Sequence, residues 1–405
     1  MSSGTKEPAA TPATPATPAT SAPEDAPTPE GGPARSRGLS PERLRAGASV
    51  LGSLQGYVGL VLVIAFGILS QGQVFWNQQN LTNAVGAFSS RGILAVGETL
   101  VILTAGIDLS VGSLLGIGST VAALLLARHN LSPLEIVPIC MLVGALFGFC
   151  NGAGTARLRV QSFVMTLAML NIARGIDREI SGNVSIGTQI ATASGSLTHN
   201  SEVFQSLGTP GHKLFTGVAL PIVGRGGIYY PVLALIVVVI IFQLVLSKSR
   251  FGRHVYAVGG NETAARLSGV NVTRVKIAVF TLAGLLAGFA GPIDAAYSAS
   301  ADPLAGTSFE LDAIAAVVIG GASLAGGKGT VVGTFVGALI LTMLDNVLGL
   351  NAVSDNAQLI VKGLIVVAAV VIQRPDFFRG AVSSGRRLVA PGRPSTSHLD
   401  KEPVQ

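Results

Sequence analysis

Five carboxylates fall inside or beside long apolar runs: Glu98, Asp108, Asp294, Glu310 and Asp312, with Arg91 and Arg174 nearer the outer ends of those runs. An ionised side chain in lipid is expensive, so such groups face a cavity, a water-filled path or a partner. Asp108 lies in a Gly-rich interruption, GIDLSVG at 106–112, which also holds Gly106, Ser110 and Gly112. Two residues after Gly106, its carboxylate can accept from the following amides, near Ser110 and Val111, as a helix cap does. Glu98 and Asp108 therefore carry two readings, a translocation path and the cap of a broken helix, and spacing leaves both open. The five histidines lie outside the centres of the apolar runs, so no histidine proton relay is visible. GASLAGGK at 321–328 has the outline of a phosphate loop, but Ala322 stands where the first Gly belongs and Gly329 where the hydroxyl belongs. Nucleotide binding by this chain is not expected, and neither is any cofactor. ATP-driven work would come from a separate subunit.

A second chemistry is suggested by 248–276, KSRFGRHVYAVGGNETAARLSGVNVTRVK, which carries six Lys/Arg against one acid, Glu262, between two apolar runs. Asn261 can cap a short helix with Glu262 in its first turn, then Thr263, Ala264, Ala265, Arg266 and Leu267, until Gly269 ends it in a left-handed conformation. So compact a knob suits a piece that docks into another protein's groove. The alternative is a solvated loop helix, and physics alone does not choose.

The elements that must position these groups are membrane spans. The chain has 405 residues, 49% hydrophobic and only 12% charged, with a mean hydropathy of +0.59, which excludes a soluble globule. Its net charge of +6 sits in short basic clusters beside apolar runs, as the positive-inside bias produces without nucleic acid. The expected fold is an all-α integral membrane protein with about ten transmembrane helices, at 52–70, 83–104, 110–127, 133–151, 160–177, 230–247, 274–297, 309–322, 329–345 and 357–373. Starting inside, this order puts Arg157, Arg159, the 248–276 loop, Lys328 and Arg374 on the cytoplasmic face, with both termini, and Asp302 and Asp355 outside.

The domains expected are a disordered Thr/Pro/Ala-rich cytoplasmic tail at 1–48, a transmembrane domain at 49–379 and a second loose cytoplasmic tail at 380–405. Arg35, Arg37, Arg43 and Arg45 would hold the N-terminus inside, and no removable signal peptide is expected. The long external loop at 178–228 holds its own apolar patch, 214–223, and would fold over the outer mouth or lie along the membrane. The interruptions at 106–112 and 321–327 share Gly, Leu and Gly at equal spacing, a weak internal repeat whose parallel or inverted sense the sequence leaves open. Gly112 with Gly116, and Gly284 with Gly288, allow close helix approach. Cys140 and Cys150 are ten residues apart, about 15 Å along a helix, so they are expected to be packing residues rather than a disulfide.

GIDLSVG at 106–112, FGRHVYAVGGNETAARLSGV at 251–270 and ELDAIAAVVIGGASLAGGKGTVVGT at 310–334 together resemble the ribose-type permease family, the membrane subunits of bacterial ABC importers for monosaccharides. The resemblance runs from about 80 to 373 in consistent order. It implies a non-enzymatic subunit of the bacterial plasma membrane that passes a sugar inward. It also implies a permease homodimer in lipid, an ATPase subunit binding ATP and Mg, and an extracytoplasmic sugar-binding protein. Glu262, Ala264, Ala265 and Gly269 match the Glu-Ala-Ala-x-x-x-Gly signature of the importer coupling helix, with Thr263 replacing a small residue. The chain departs from the pattern after Gly175, where Ile-Asp-Arg-Glu is unusually charged, and in the length of the external loop. The rival readings are a stand-alone ion-coupled sugar carrier, with Glu98 and Asp108 as its coupling carboxylates, and a membrane scaffold without transport, which two broken spans and buried carboxylates disfavour.

Overall fold

The computed structural model describes residues 58–208, 213–214 and 228–372. The expected tails at 1–48 and 380–405, Arg374 and most of the apolar patch at 214–223 lie outside the described residues. Thirteen helices are described: α1 Val58–Gln71, α2 Gln78–Leu103, α3 Val111–His129, α4 Pro133–Ala156, α5 Ser162–Ser181, α6 His199–Ser206, α7 Tyr230–Lys248, α8 Arg250–Gly260, α9 Glu262–Leu267, α10 Val272–Tyr297, α11 Phe309–Ile319, α12 Val331–Leu350 and α13 Asp355–Ile372. The strands are two-residue pieces, and β1 Ile186–Gly187 pairs antiparallel with β4 Ser300–Ala301, as β2 Lys213–Leu214 does with β3 Ile228–Tyr229.

Each of the ten expected runs coincides with a helix. Six of these helices, α2, α3, α4, α7, α10 and α12, are long and apolar enough to cross a membrane. Three of the other four differ for visible reasons: α1 is a shorter apolar helix, α5 carries Arg174, Asp177, Arg178 and Glu179 in its second half, and α11 has only 11 residues.

Local signals set the helix ends. Asn77 caps α2 by accepting from the Gln79 amide at 2.8 Å. Ser132 starts α4 with Glu135 reaching back to its amide at 2.9 Å, the reciprocal pair of a capping box. Gly182, left-handed, ends α5.

The core is built on α2, which is buried along most of its length, with α10, α3, α11, α12 and α7 around it. α4 and α10 meet along a glycine seam: a Cβ on Gly284 would run into the Gly144 carbonyl, and one on Gly288 into that of Cys140. Such contact lets backbones pack where lipid offers no hydrophobic drive for association. Away from the seam, Leu142 and Leu146 on α4 and Ile240, Ile241 and Leu244 on α7 are exposed, so the chain is apolar outside as well as in. Cys140 is buried and donates to the Gly118 carbonyl at 3.3 Å. Cys150 is exposed, so only one of the two cysteines packs, and both are free.

The described part of the 178–228 segment is seated on protein. β1 joins it to the α10–α11 connection, and Phe204 of α6 is buried beside Ala122 of α3 and Ala295 and Ala296 of α10. Of the charged run after Gly175, Asp177 is buried while Arg178 and Glu179 are exposed; Arg174 lies 3.7 Å from Asp177 and donates to the carbonyls of Pro303 and Ala305 at 2.9 and 2.7 Å.

Candidate functional site

The first interruption separates α2 from α3. Ala105 takes a left-handed φ of 58°, and the chain folds back so that the Asp108 amide donates to Glu98 Oε1 at 3.2 Å. Asp108 Oδ1 accepts from the Ser110 amide at 2.9 Å and from its hydroxyl at 2.6 Å. Asn151 of α4 then donates to the Ser110 hydroxyl at 2.8 Å. Glu98 and Asp108 are both fully buried. Of the amides expected to bond Asp108, Ser110 does and Val111 does not; Ser110 is itself the N-cap residue of α3, so the carboxylate braces the turn before the helix rather than capping the helix. Glu98 Oε2 and Asp108 Oδ2 are left without partners among the described residues. Gly112 is required by packing, since a Cβ there would strike the Gly306 carbonyl and the Glu310 carboxylate.

The second interruption, between α11 and α12, turns through left-handed Gly321, Gly326 and Gly327. Its geometry differs from the first, where Gly106 is not left-handed and Ala105 takes that role.

In the basic loop, Asn261 Oδ1 accepts from the Ala264 amide at 2.9 Å, which starts the six-residue α9. The Val270 amide donates to the Ala265 carbonyl at 3.0 Å, closing the helix over Gly269 at φ +84°. Thr263, Ala264 and Arg266 are exposed, while Ala265 is buried. Glu262 clamps the knob: it accepts from Lys276 at 2.7 Å and Arg266 at 2.8 Å. The hydrogen bond from Lys276 is the main reason its carboxyl is held below the usual carboxylate range, with Arg266 adding to it.

These three sites converge. The Gly327 amide donates to the Leu103 carbonyl at 3.0 Å, which ties the end of α2 to the second interruption. Gly259 of α8 lies directly on that bond, where a Cβ would strike the Leu103 carbonyl and come within 2.6 Å of the Gly327 nitrogen. The Tyr256 hydroxyl donates to the Gly329 carbonyl at 2.8 Å. Beside this junction, a cavity of about 390 Å³ lies between the first interruption, the α4–α5 turn and α9–α10, with Arg159, Glu262, Arg266 and Lys276 on its walls.

Some residues, at these sites and elsewhere, were not singled out from sequence. Asp345 and Lys362 form a network with Arg91 and Asp312: Arg91–Asp345 at 2.8 Å, Lys362–Asp345 at 2.9 Å and Lys362–Asp312 at 3.2 Å. Both lie in apolar runs, so the rule that marked Glu98 would have found them. Leu267 on α9 is 84% exposed, an apolar side chain on the surface of a basic loop that the charge pattern concealed. Gly259 carried no signal separating it from the other 50 glycines.

No solved structure matches the chain. It is 42% identical over 313 residues to the ribose import permease protein RbsC of Escherichia coli strain K12, covering 77% of this chain and 90% of that one. It is 36% identical over 365 residues to the xylose transport system permease protein XylH of Haemophilus influenzae, covering 79% and 96%. To the fructose import permease protein FrcC of Rhizobium meliloti it is 35% identical over 314 residues, covering 77% and 82%. Residues 80–370 match the family model described as a branched-chain amino acid transport system permease component, and this multi-pass membrane chain, with its broken helices meeting under a short basic knob, belongs to that permease family.

Proposed function

We propose that the chain is the membrane-spanning subunit of an ABC importer that passes a monosaccharide inward, driven by a separate ATPase subunit and supplied by an extracytoplasmic sugar-binding protein. The substrate class rests on relatives named for ribose, xylose and fructose. The observation that carries the mechanism is the junction of Gly259, Leu103 and Gly327, because it puts the basic loop in backbone contact with the end of α2, where the first interruption begins, and with the second interruption. An ATPase domain gripping exposed Arg266 and Leu267 would move α8 and α9 as one piece. Being close-packed against α2 and the α11–α12 turn, that piece would transmit the motion to the path.

In this reading Glu262, Thr263, Ala264, Ala265, Arg266 and Gly269 form the coupling helix. Gly106, Asp108, Ser110, Gly112, Gly321 and Gly327 shape the interruptions, with Glu98 holding the first one closed. The ten-span topology takes the six long helices together with α1, α5, α11 and α13, with α9 and both termini in the cytoplasm. A permease homodimer in lipid encloses the path, and the two interruptions are remnants of a repeat. Against the stand-alone carrier stand the import-permease relatives and the turn-bracing hydrogen bonds of Asp108. The test is sugar uptake into vesicles reconstituted with this chain, the ATPase and the binding protein. Uptake that needs all three and ATP supports the proposal, and gradient-driven uptake by this chain alone refutes it.

A further inference from the structure

At the end opposite the basic loop, a cavity of about 360 Å³ opens between α2, the last turn of α10 and the α10–α11 connection, within the size range of small-ligand sites. Ser90, Arg91, Asp294, Tyr297, Asp302 and Phe309 contribute to its wall. The charges there are not all explained by one another. Arg91, Lys362, Asp345 and Asp312 are two cations and two anions joined by ion pairs, whereas Asp294, though within the field of Arg91, makes no direct ion pair among the described residues. Its hydrogen bond among the described residues is a long one, 3.5 Å from the Ser90 hydroxyl. Arg91 is likewise underused: of five guanidinium donors, one bonds a protein acceptor among the described residues, Asp345, while the Phe309 ring lies 4.7 Å from the guanidinium carbon.

We propose that Arg91 and Asp294 form a subsite for an uncharged polyhydroxyl ligand, the sugar itself, on the translocation path. The inference rests on the monosaccharide-permease reading and gives that path specific residues. A sugar hydroxyl is both donor and acceptor, so adjacent hydroxyls can donate to the Asp294 carboxylate while accepting from Arg91. Tyr297 and Phe309 add ring carbons to the wall, where the C–H surface of a sugar can pack. An anionic ligand would meet Asp294 and Asp302, and a cation would meet Arg91, so a neutral polyol fits the mixed wall best. The wall is also held before any ligand arrives. Arg174 pins the 303–305 backbone, Gly306 is packed against Gly112, and β4 is paired with β1, which reduces the ordering that binding must supply.

The test uses the complete importer. Radiolabelled ribose, xylose and fructose uptake is compared for wild type, Asp294→Asn and Ser90→Ala, alongside ATP hydrolysis stimulated by loaded binding protein. For Asp294→Asn we expect uptake to fall at least about tenfold with stimulation unchanged, the loss of one hydrogen bond to a charged group. In a Cys150→Ser background, Thr307→Cys at the exposed rim should react with a thiosulfonate reagent. Excess transported sugar should slow that reaction, and L-leucine should not. Should Asp294→Asn fold poorly, the labelling result decides alone. Wild-type uptake by Asp294→Asn, labelling indifferent to sugar, or protection by L-leucine each overturns the subsite. A wild type that takes up no sugar overturns the permease reading instead.

Discussion

Replacing Gly259 with Ala tests the mechanical link directly. The new methyl group has nowhere to go: it meets the Leu103 carbonyl on one side and sits 2.6 Å from the Gly327 nitrogen on the other, both backbone atoms. Relief requires α8 to lift, or the Gly327–Leu103 hydrogen bond to open. Overpacking of this kind costs roughly 1–3 kcal/mol, and a buried amide left unpaired adds about 1–3 kcal/mol. The cost, about 1–3 kcal/mol by one route and about 2–6 kcal/mol if both occur, is a sizeable part of the roughly 5–15 kcal/mol that holds a typical domain together, yet it falls on one junction. The expected outcome is a protein that inserts and can be purified, but whose ATPase partner is poorly stimulated by loaded binding protein and whose uptake drops by tenfold or more. Gly260→Ala is the control, because a Cβ there meets nothing within 4 Å. In reconstituted vesicles, full stimulation and uptake by Gly259→Ala, or equal damage from Gly260→Ala, would refute the linkage.

Gly269→Val forces a β-branched residue to φ +84°, at a cost of about 1–2 kcal/mol or more, and Glu262→Lys replaces two ion pairs with repulsion from Arg266 and Lys276. Both should leave insertion intact and abolish stimulation of ATP hydrolysis, and wild-type stimulation in both would remove the coupling role. Asp108→Asn keeps an acceptor for Ser110 and should retain most transport, whereas Asp108→Ala strands two buried donors at about 1–3 kcal/mol each and should lower detergent-extracted yield. Equal inactivity of the two with normal yield would point to a substrate or ion role. Cysteines at exposed Ser268 and Ser196, in a Cys150→Ser background, should react with an impermeant maleimide only in inverted vesicles and only in permeabilised intact cells, respectively. The reverse pattern would overturn the topology.

What the sequence determined by itself was local. Apolar runs located ten of the helices because an apolar stretch is read from neighbouring residues alone, and six of those helices are long and apolar enough to cross a membrane. Asn261 and Gly269 delimited α9 because a cap bonds amides two or three positions away and a left-handed stop needs only the one residue. Asp108 could be read as an acceptor for nearby amides for the same reason, since its partner Ser110 is two residues on.

Tertiary structure decided everything carried by contacts distant along the chain. A glycine serves a turn or a close approach equally well, so nothing in the sequence set Gly259 apart until α8 was laid against Leu103 and Gly327. Arg91 and Asp345 are 254 residues apart, and which cation answers which carboxylate follows from helix packing rather than spacing. The shape of the two interruptions likewise depends on what packs against them: Asn151 and Glu98 at the first, Gly259 and Tyr256 at the second.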